Sequence, residues 1–255
     1  MKLFGRTSGT ATQQQPTRSV TLTKSAGPAV SRDIVAGAGV DLAKKFDKAG
    51  VSLSKAGMDG IRAEAVLVLD HSGSMFSDYR TGSVQVVVDR ALAFALQIDV
   101  DGKIPVIPFD SQVWPTIEVS LTNYSGVVDR DIFRPSRMGA TYLGRALEQV
   151  LEMAKTTRSP LYVVIVTDDD PTDADRVVRI LNELRGYPVF VKVLTLVRAP
   201  FWDQQDNLRA PGLIDNIDAK RITKITGMSD LAFADVMVDE WPSWVQAATA
   251  AGILV

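Results

Sequence analysis

Two hydrophobic patterns alternate along the chain from residue 61 onward. Near-continuous apolar runs of strand length occur at 63–69, 104–109, 113–119, 161–166 and 189–197. Between them, apolar residues recur every three or four positions at 83–97, 141–155 and 173–185, the spacing of one buried helix face. Continuous apolar strands alternating with amphipathic helices are typical of a mostly parallel sheet covered on both faces. The pattern therefore predicts an α/β fold with a doubly wound, Rossmann-like sheet.

The first 60 residues lack this regularity. Residues 1–32 are polar and show little periodicity, so we expect a mobile N-terminal tail. Residues 33–60 form a lead-in segment that we expect to pack on the domain of residues 61–255. Three similar pieces at 20–24, 40–44 and 51–55 alternate apolar and polar residues, which suits short edge strands. Residues 33–48 also fit a short helix, and the sequence leaves both interpretations open.

Composition narrows the class of protein. The formal net charge of the 255-residue chain is −2, which argues against a nucleic-acid binder with a broad basic face. The chain has no cysteine, so disulfides, thiolate metal sites and cysteine nucleophiles are excluded. We find no targeting segment and no apolar run of the roughly 18 residues that a membrane span requires. We therefore expect a cytoplasmic protein that binds neither nucleic acid nor membranes.

Three polar clusters stand where ligands bind in such sheets, beyond the carboxyl ends of the strands. Asp70-His71-Ser72-Gly73-Ser74 follows the first strand, Thr167-Asp168 follows the fourth, and Gly139-Ala140-Thr141 precedes a helix. Carboxylate and hydroxyl oxygens are ligands of hard cations such as Mg²⁺, Mn²⁺ or Ca²⁺. Each cluster alone is commonly a turn or a helix cap. Together, each at the correct end of its element, they indicate a metal site.

These residues also carry a family resemblance. Asp70-His71-Ser72-Gly73-Ser74 resembles the Asp-x-Ser-x-Ser motif of von Willebrand factor A-type (vWA) domains, and the other two clusters resemble that family's Gly-x-Thr and Thr-Asp-Gly loops. The resemblance runs from about residue 61 to the C-terminus. It is stronger to a bacterial subgroup associated with tellurite-resistance and stress operons, through pieces such as Tyr187-Pro188-Val189-Phe190 and Trp241-Pro242-Ser243-Trp244.

The resemblance implies a metal-ion-dependent adhesion site (MIDAS). It implies a vWA fold with metal ligands Asp70, Ser72, Ser74, Thr141 and Asp168, the two aspartates acting mostly through water. The ion is expected to be divalent, with magnesium favoured, and to bind an acidic side chain of a protein partner. The oligomeric state is not predicted.

The site departs from the family pattern at two positions. Asp169 stands where the family usually has glycine, and Asp170 adds a further carboxylate. Both raise the negative charge near the proposed ion. Tyr142 replaces a residue that is commonly small and polar, and we expect it to pack on the following helix rather than to border the site.

The candidate site does not resemble that of a hydrolase. His71 is the chain's only histidine and neighbours Ser72, but adjacent residues of an extended segment point to opposite faces. The chain has neither a Gly-x-Ser-x-Gly elbow nor a Gly-x-x-x-x-Gly-Lys phosphate loop. We therefore predict a binding protein and not an enzyme. The alternative is a metal-dependent phosphoesterase that uses the same ion, with Arg137 as the basic residue closest in sequence.

Overall fold

The computed structural model describes residues 16–255, which form a six-stranded sheet between two layers of helices. The strands are β1 (Glu64–Asp70), β2 (Lys103–Phe109), β3 (Ile117–Ser120), β4 (Leu161–Thr167), β5 (Val189–Thr195) and β6 (Ile217–Arg221). The helices are α1 (Arg32–Ala38), α2 (Val40–Lys55), α3 (Phe76–Arg80), α4 (Ser83–Ile98), α5 (Gly144–Thr156), α6 (Ala174–Leu184), α7 (Pro200–Asp206), α8 (Asp230–Val238) and α9 (Trp241–Ala250). Within the described residues, no helix has the length and apolarity needed to span a bilayer.

The order of the strands is β3-β2-β1-β4-β5-β6. All neighbouring pairs are parallel except β2 and β3. The predicted doubly wound, mostly parallel sheet is therefore confirmed. From β1 the chain continues to β2 on one side, while β4 lies on the other side. The strand order therefore switches at β1 and β4, and ligands bind at the carboxyl ends of strands at such a switch.

The central strand β1 is buried on both faces because successive side chains enter different cores. Ala65, Leu67 and Leu69 belong to the core that also contains side chains of α2, α4, α8 and α9. Val66 and Val68 belong to the opposite core, with side chains of α5, α6 and α7. Burial on both faces explains the continuous apolar sequence of β1 and of the equally buried β4.

The lead-in segment is helical, and the edge-strand interpretation of it is wrong. The pieces at 40–44 and 51–55 both lie in α2. This helix buries Leu42, Phe46 and Leu53 and packs against α4 and α8. The alternation that suggested strands is part of a helical pattern, whose buried residues here recur at three- and four-residue intervals.

Residues 16–25, which we call the strap, have no regular secondary structure and are attached to the domain by hydrogen bonds and two isolated β-bridges. The backbone of Val20 pairs with the C-terminal residues: its amide donates to the Ile253 carbonyl at 3.0 Å, and its carbonyl accepts the amide of Val255 at 3.0 Å. The Arg18 guanidinium donates to carbonyls at the C-terminal end of α5, including that of Thr157 at 2.6 Å. The prediction that residues 1–32 form a mobile tail is therefore wrong from residue 17 onward, because backbone hydrogen bonds and the Arg18 cap on α5 hold the strap. Residues 1–15 lie outside the described residues.

Candidate metal centre

The loop that follows β1 is folded around the carboxylate of Asp70. Asp70 is fully buried, and its Oδ1 accepts the backbone N–H of Ser72 at 2.7 Å. Its Oδ2 accepts the hydroxyl of Thr167, at the end of β4, at 2.6 Å. The first bond closes the kind of local turn that aspartate side chains favour. The second connects the end of β1 to the end of β4. Asp70 thus determines how the loop leaves the sheet.

Three predicted ligands are connected by hydrogen bonds above Asp70. The hydroxyl oxygens of Ser72 and Ser74 lie 3.0 Å apart. The Ser74 hydroxyl donates to Asp168 Oδ1 at 2.8 Å, which links the β1 loop to the β4 loop. Ser72 is buried, whereas Ser74 is exposed. The result is a set of oxygen atoms that opens toward solvent, which is the donor chemistry of a magnesium or calcium site.

The Gly139–Thr141 loop is held beside this set by its backbone. The Gly73 amide donates to the Gly139 carbonyl at 2.8 Å, and the Thr172 amide donates to the Thr141 carbonyl at 2.8 Å. A side chain at Gly139 would place its Cβ 2.5 Å from the Ser111 hydroxyl, so only glycine lets this loop lie so close to Ser111. Thr141 is buried and lies three residues before the first residue of α5. The structure thus brings all five predicted ligands to one edge of the sheet.

Of the three consecutive aspartates, only Asp168 contacts the hydroxyl set. Asp170 Oδ1 instead accepts the backbone N–H of Phe201 at 3.0 Å, and Asp169 Oδ1 accepts the N–H of Asp170 at 2.8 Å. Asp169 does not adopt a positive φ, since among the described non-glycine residues only Glu240 does. The turn therefore accommodates aspartate in the usual glycine position without backbone strain.

Burial opposes ionisation of the candidate ligands. Loss of solvent raises the pKa of Asp70 to about 6, although the hydrogen bonds from Thr167 and Ser72 lower it. Burial also raises the pKa of Asp168, against the lowering effect of its bond from Ser74. The buried Asp70 and the partly buried Asp168 are unfavourable when both are charged without a compensating cation, and a divalent ion would relieve this repulsion.

This shift predicts a pH dependence of stability. The folded-state pKa of Asp70 lies above its ordinary value of 3.8, so its contribution to stability is present below pH 3.8 and is lost as the pH rises through about 6. The loss amounts to about 3 kcal/mol over the whole range, of which roughly 1.5 kcal/mol falls between pH 5 and pH 7.5. Saturating Mg²⁺ should remove this pH-dependent loss of stability, because the bound ion favours the charged carboxylate of Asp70. Urea unfolding at pH 5 and pH 7.5, with Mg²⁺ or chelator, measures the effect.

A matched variant isolates Asp70 in this experiment. Asp99 has a pKa also raised to about 6 by burial, but it lies at the opposite end of the sheet, where it accepts the Ala65 amide. Asp99→Asn should keep the Mg²⁺-dependent difference between the two pH values, and Asp70→Asn should abolish it. Equal Mg²⁺ responses in these two variants would contradict the assignment of Asp70.

A second acidic cluster lies elsewhere, at Asp206, Asp218 and Glu240. The Lys220 ammonium lies 3.2 Å from a carboxylate oxygen of Asp218 and 3.2 Å from one of Glu240. Lys192, fully buried, also pairs with Asp218. These lysines already supply positive charge to the cluster, so we do not assign it a metal ion.

Two exposed aromatic residues stand close in sequence to the candidate ligands. Phe76, two residues after Ser74, is 38% exposed, and Tyr142, directly after Thr141, is 42% exposed. More than half of the Tyr142 side chain is covered, and its packing on the following helix stays a prediction. Exposed aromatic side chains beside a polar centre are common anchors of protein interfaces.

The sequence comparison supplies the family. Residues 62–254 match the family of vWA domains described as the vWA found in the TerF C terminus. The chain belongs to this vWA-TerF-like family. The resemblance predicted from the three loops is thereby confirmed. YcbR of Bacillus subtilis (strain 168) is 30% identical over 223 residues, which is 84% of this chain and 90% of YcbR.

Solved structures show a lower likeness to this vWA domain. Manganese-loaded TRAP protein of Plasmodium vivax is 16% identical, with 70% of this chain and 72% of that chain covered and a TM-score of 0.47. Proximal thread matrix protein 1 of the mussel byssus, with a zinc-occupied MIDAS motif, is 16% identical, with 69% and 45% covered and a TM-score of 0.42. Likeness at this level carries no inference about the site.

Two features of the centre were missing from the predicted ligand set. The Thr167 hydroxyl donates to Asp70, and its position directly before the predicted ligand Asp168 was the sequence signal that could have identified it. The other is the buried side chain of His71, which contacts Asp110 and the backbone of Arg134 instead of Ser72. Alternation along the strand correctly predicted that His71 faces away from Ser72, but nothing in the sequence identified its partners.

Proposed function

We propose that this vWA domain holds one divalent cation, with magnesium favoured, and uses it to bind an acidic side chain of a protein partner. The observation that carries the proposal is the hydrogen-bonded set of Ser72, Ser74 and Asp168, placed beside Asp70 at the carboxyl ends of β1 and β4. Ser72, Ser74 and Thr141 would hold the ion by their hydroxyls, and Asp70 and Asp168 would act mostly through water.

The charge balance supports an acidic partner. Two carboxylates balance a divalent ion, and neutral hydroxyl ligands leave it electrophilic, so that it takes up a further anionic oxygen. The exposed Ser74 provides the open side of the centre. The exposed rings of Phe76 and Tyr142, which stand close in sequence to the ligands, would then contact apolar parts of the same partner.

Binding without catalysis is the function that the surroundings favour. Both nitrogens of His71 are engaged away from Ser72. In residues 16–255, no lysine or arginine side chain bonds to Asp70 or Asp168. A phosphoesterase would need a general base placed like an unengaged histidine, or a lysine or arginine that binds the phosphate. Turnover of p-nitrophenyl phosphate that depends on Mg²⁺ and disappears in Ser74→Ala would favour the hydrolase instead.

The family suggests the setting. Membership in the vWA-TerF-like family supports a place in a stress-response system that resembles tellurite resistance. The absence of cysteine supports a reducing cytoplasmic location.

Partner capture with immobilised protein and host extract tests the function. Wild-type protein is expected to retain a partner in Mg²⁺ and to release it in chelator. Thr141→Ala should lower the affinity for this partner at least tenfold, because the substitution removes a metal ligand and leaves carboxylates facing the partner's acidic group. Its stability should fall little, since α5 begins at Gly144 and Thr141 does not cap it.

Asp169→Gly is the matched comparison. It restores the usual family residue and removes a charge that makes no contact with the hydroxyl set. It should preserve or strengthen capture of an acidic partner and slightly weaken affinity for the free ion. If Asp169→Gly abolished capture while Thr141→Ala had no effect, the aspartate run and not the adhesion-type site would be the functional centre.

A further inference from the structure

His71 lies within the metal-binding motif, but its side chain belongs to a different network. The residue is 1% exposed. Its Nδ1 lies 3.0 Å from Asp110 Oδ2, and its Nε2 accepts the backbone N–H of Arg134 at 3.0 Å. Both ring nitrogens are thus used, and neither faces the proposed ion.

These two contacts fix one form of the imidazole. A backbone N–H can only donate, so Nε2 must present its lone pair to Arg134. The ring proton is therefore on Nδ1, and Nδ1–H donates to the carboxylate of Asp110. The opposite tautomer would place two hydrogen atoms between Nε2 and the Arg134 nitrogen, and it would leave Asp110 facing a lone pair.

Asp110 is itself held as an acceptor. Its Oδ2 also accepts the indole N–H of Trp114 at 2.8 Å, and its Oδ1 accepts the Gln112 amide at 3.0 Å. Asp110 is 1% exposed. With three donors directed at it, the carboxylate has a fixed orientation and in turn fixes the proton on His71.

Aromatic rings enclose the imidazole. Tyr79 and Trp114 meet it edge-on, with ring centroids at 5.4 Å and 5.7 Å. The Tyr79 hydroxyl donates to the backbone carbonyl of Asp70 at 2.9 Å. This enclosure keeps water away from the His71–Asp110 bond and connects the network to the start of the metal-binding loop.

Through its two nitrogens, His71 joins three separate segments. These are its own loop with Ser72 and Ser74, the end of β2 with Asp110, and the segment that runs from Arg134 to Thr141. We propose that His71, held by Asp110 as its Nδ1–H tautomer, is a positioning residue that sets the Ser72–Ser74 loop against the Gly139–Thr141 loop. The inference rests on the proposed function, since these two loops carry the proposed metal ligands.

The only histidine of the chain makes a direct test possible. Long-range ¹H–¹⁵N NMR of the wild-type imidazole should show a single Nδ1–H tautomer. Asp110→Asn replaces a pure acceptor with a group that also donates, so it should change the tautomer ratio and shift the Arg134 amide. Asp99→Asn is the control, because Asp99 is likewise buried and accepts the amide two residues on, that of Asp101. It should leave the imidazole signals unchanged.

Metal affinity provides the second readout. Mn²⁺ binding, followed by electron paramagnetic resonance, should weaken about tenfold or more in Asp110→Asn and remain near wild type in Asp99→Asn, even if both variants lose stability. His71→Asn keeps a donor toward Asp110 but loses the acceptor for Arg134. It should also weaken Mn²⁺ binding and shift the amides of Gly139 and Thr141.

The outcomes separate this inference from the proposed function. A wild-type Nε2–H tautomer, or unshifted Gly139 and Thr141 amides in His71→Asn, would overturn the positioning role. So would equal Mn²⁺ affinity in Asp110→Asn and Asp99→Asn when the wild type binds the ion. If wild-type protein bound no Mn²⁺ or Mg²⁺, the proposed function would fail, and the positioning role would be decided by the tautomer and the amide shifts.

Discussion

Mg²⁺ at about one hundred times its dissociation constant is expected to raise the melting temperature by roughly 5–10 °C. Binding to the folded state alone at that concentration contributes about 2.7 kcal/mol. For a domain of this size, each kcal/mol corresponds to about 2–4 °C. Differential scanning fluorimetry in Mg²⁺ and in chelator measures the difference.

Ser74→Ala should remove most of this increase. Ser74 is exposed, so its truncation leaves no cavity, and the metal-free melting temperature should change little. Asp70→Ala should also remove the increase, but it leaves the Ser72 amide and the Thr167 hydroxyl without their acceptor, so the fold is expected to suffer as well.

Ser77→Ala is the control for Ser74→Ala. Ser77 is exposed in the adjacent helix α3 and should leave the response to Mg²⁺ intact. A full increase in melting temperature in both Ser74→Ala and Asp70→Ala would refute the assignment of the site. Loss of the increase in Ser77→Ala would show that the assay reports loop stability and not ligation.

Removal of the strap should have the other large effect. Deleting residues 1–25 eliminates the pairing of Val20 with the C-terminal residues, the Arg18 cap on α5 and the bond from the Ser25 amide to the Gly60 carbonyl. We expect a loss of roughly 3 kcal/mol or more in unfolding free energy, because the deletion leaves the carbonyls of Ile253, Gly60 and Thr157 without their donors, at about 1 kcal/mol or more for each. Denaturant titration gives the value.

Two smaller changes serve as comparisons for the loss of stability caused by this deletion. Deleting residues 1–15 should cost little, because their polar sequence offers few apolar groups to bury. Arg18→Ala should cost about 1 kcal/mol through the lost carbonyl contacts. A deletion of 1–15 that destabilised the protein as much as the deletion of 1–25 would contradict the division at the strap.

The parallel sheet and the location of the site followed from local pattern. Strands such as β1 and β4 are buried on both faces, so their sequences are continuously apolar and easily recognised. Their polar final residues, Asp70 and Thr167 with Asp168, had to meet at one edge because carboxyl ends of parallel strands do so. The family resemblance then specified which oxygen atoms to consider.

The last third of the fold was less predictable. β6 (Ile217–Arg221) reads Ile-Asp-Ala-Lys-Arg and carries charged residues that form ion pairs with other elements. Its strand character comes from pairing with β5 and not from an apolar run. The helix α8 is mostly apolar, with Asp230 and Asp235 as its charged residues, and its apolar residues do not form one clear helical face.

What the sequence determined by itself was the donor chemistry of the candidate site and the edge of the sheet on which its residues lie, because both depend on residue type and strand direction. Tertiary structure decided the rest through contacts between residues distant in the chain. Arg18 and Val20 of the strap are held by residues more than 130 positions away, and His71 finds its partners 39 and 63 positions away, at Asp110 and Arg134. Such contacts leave no periodic signal in either partner, since a single buried polar group needs only one complementary group at the right distance.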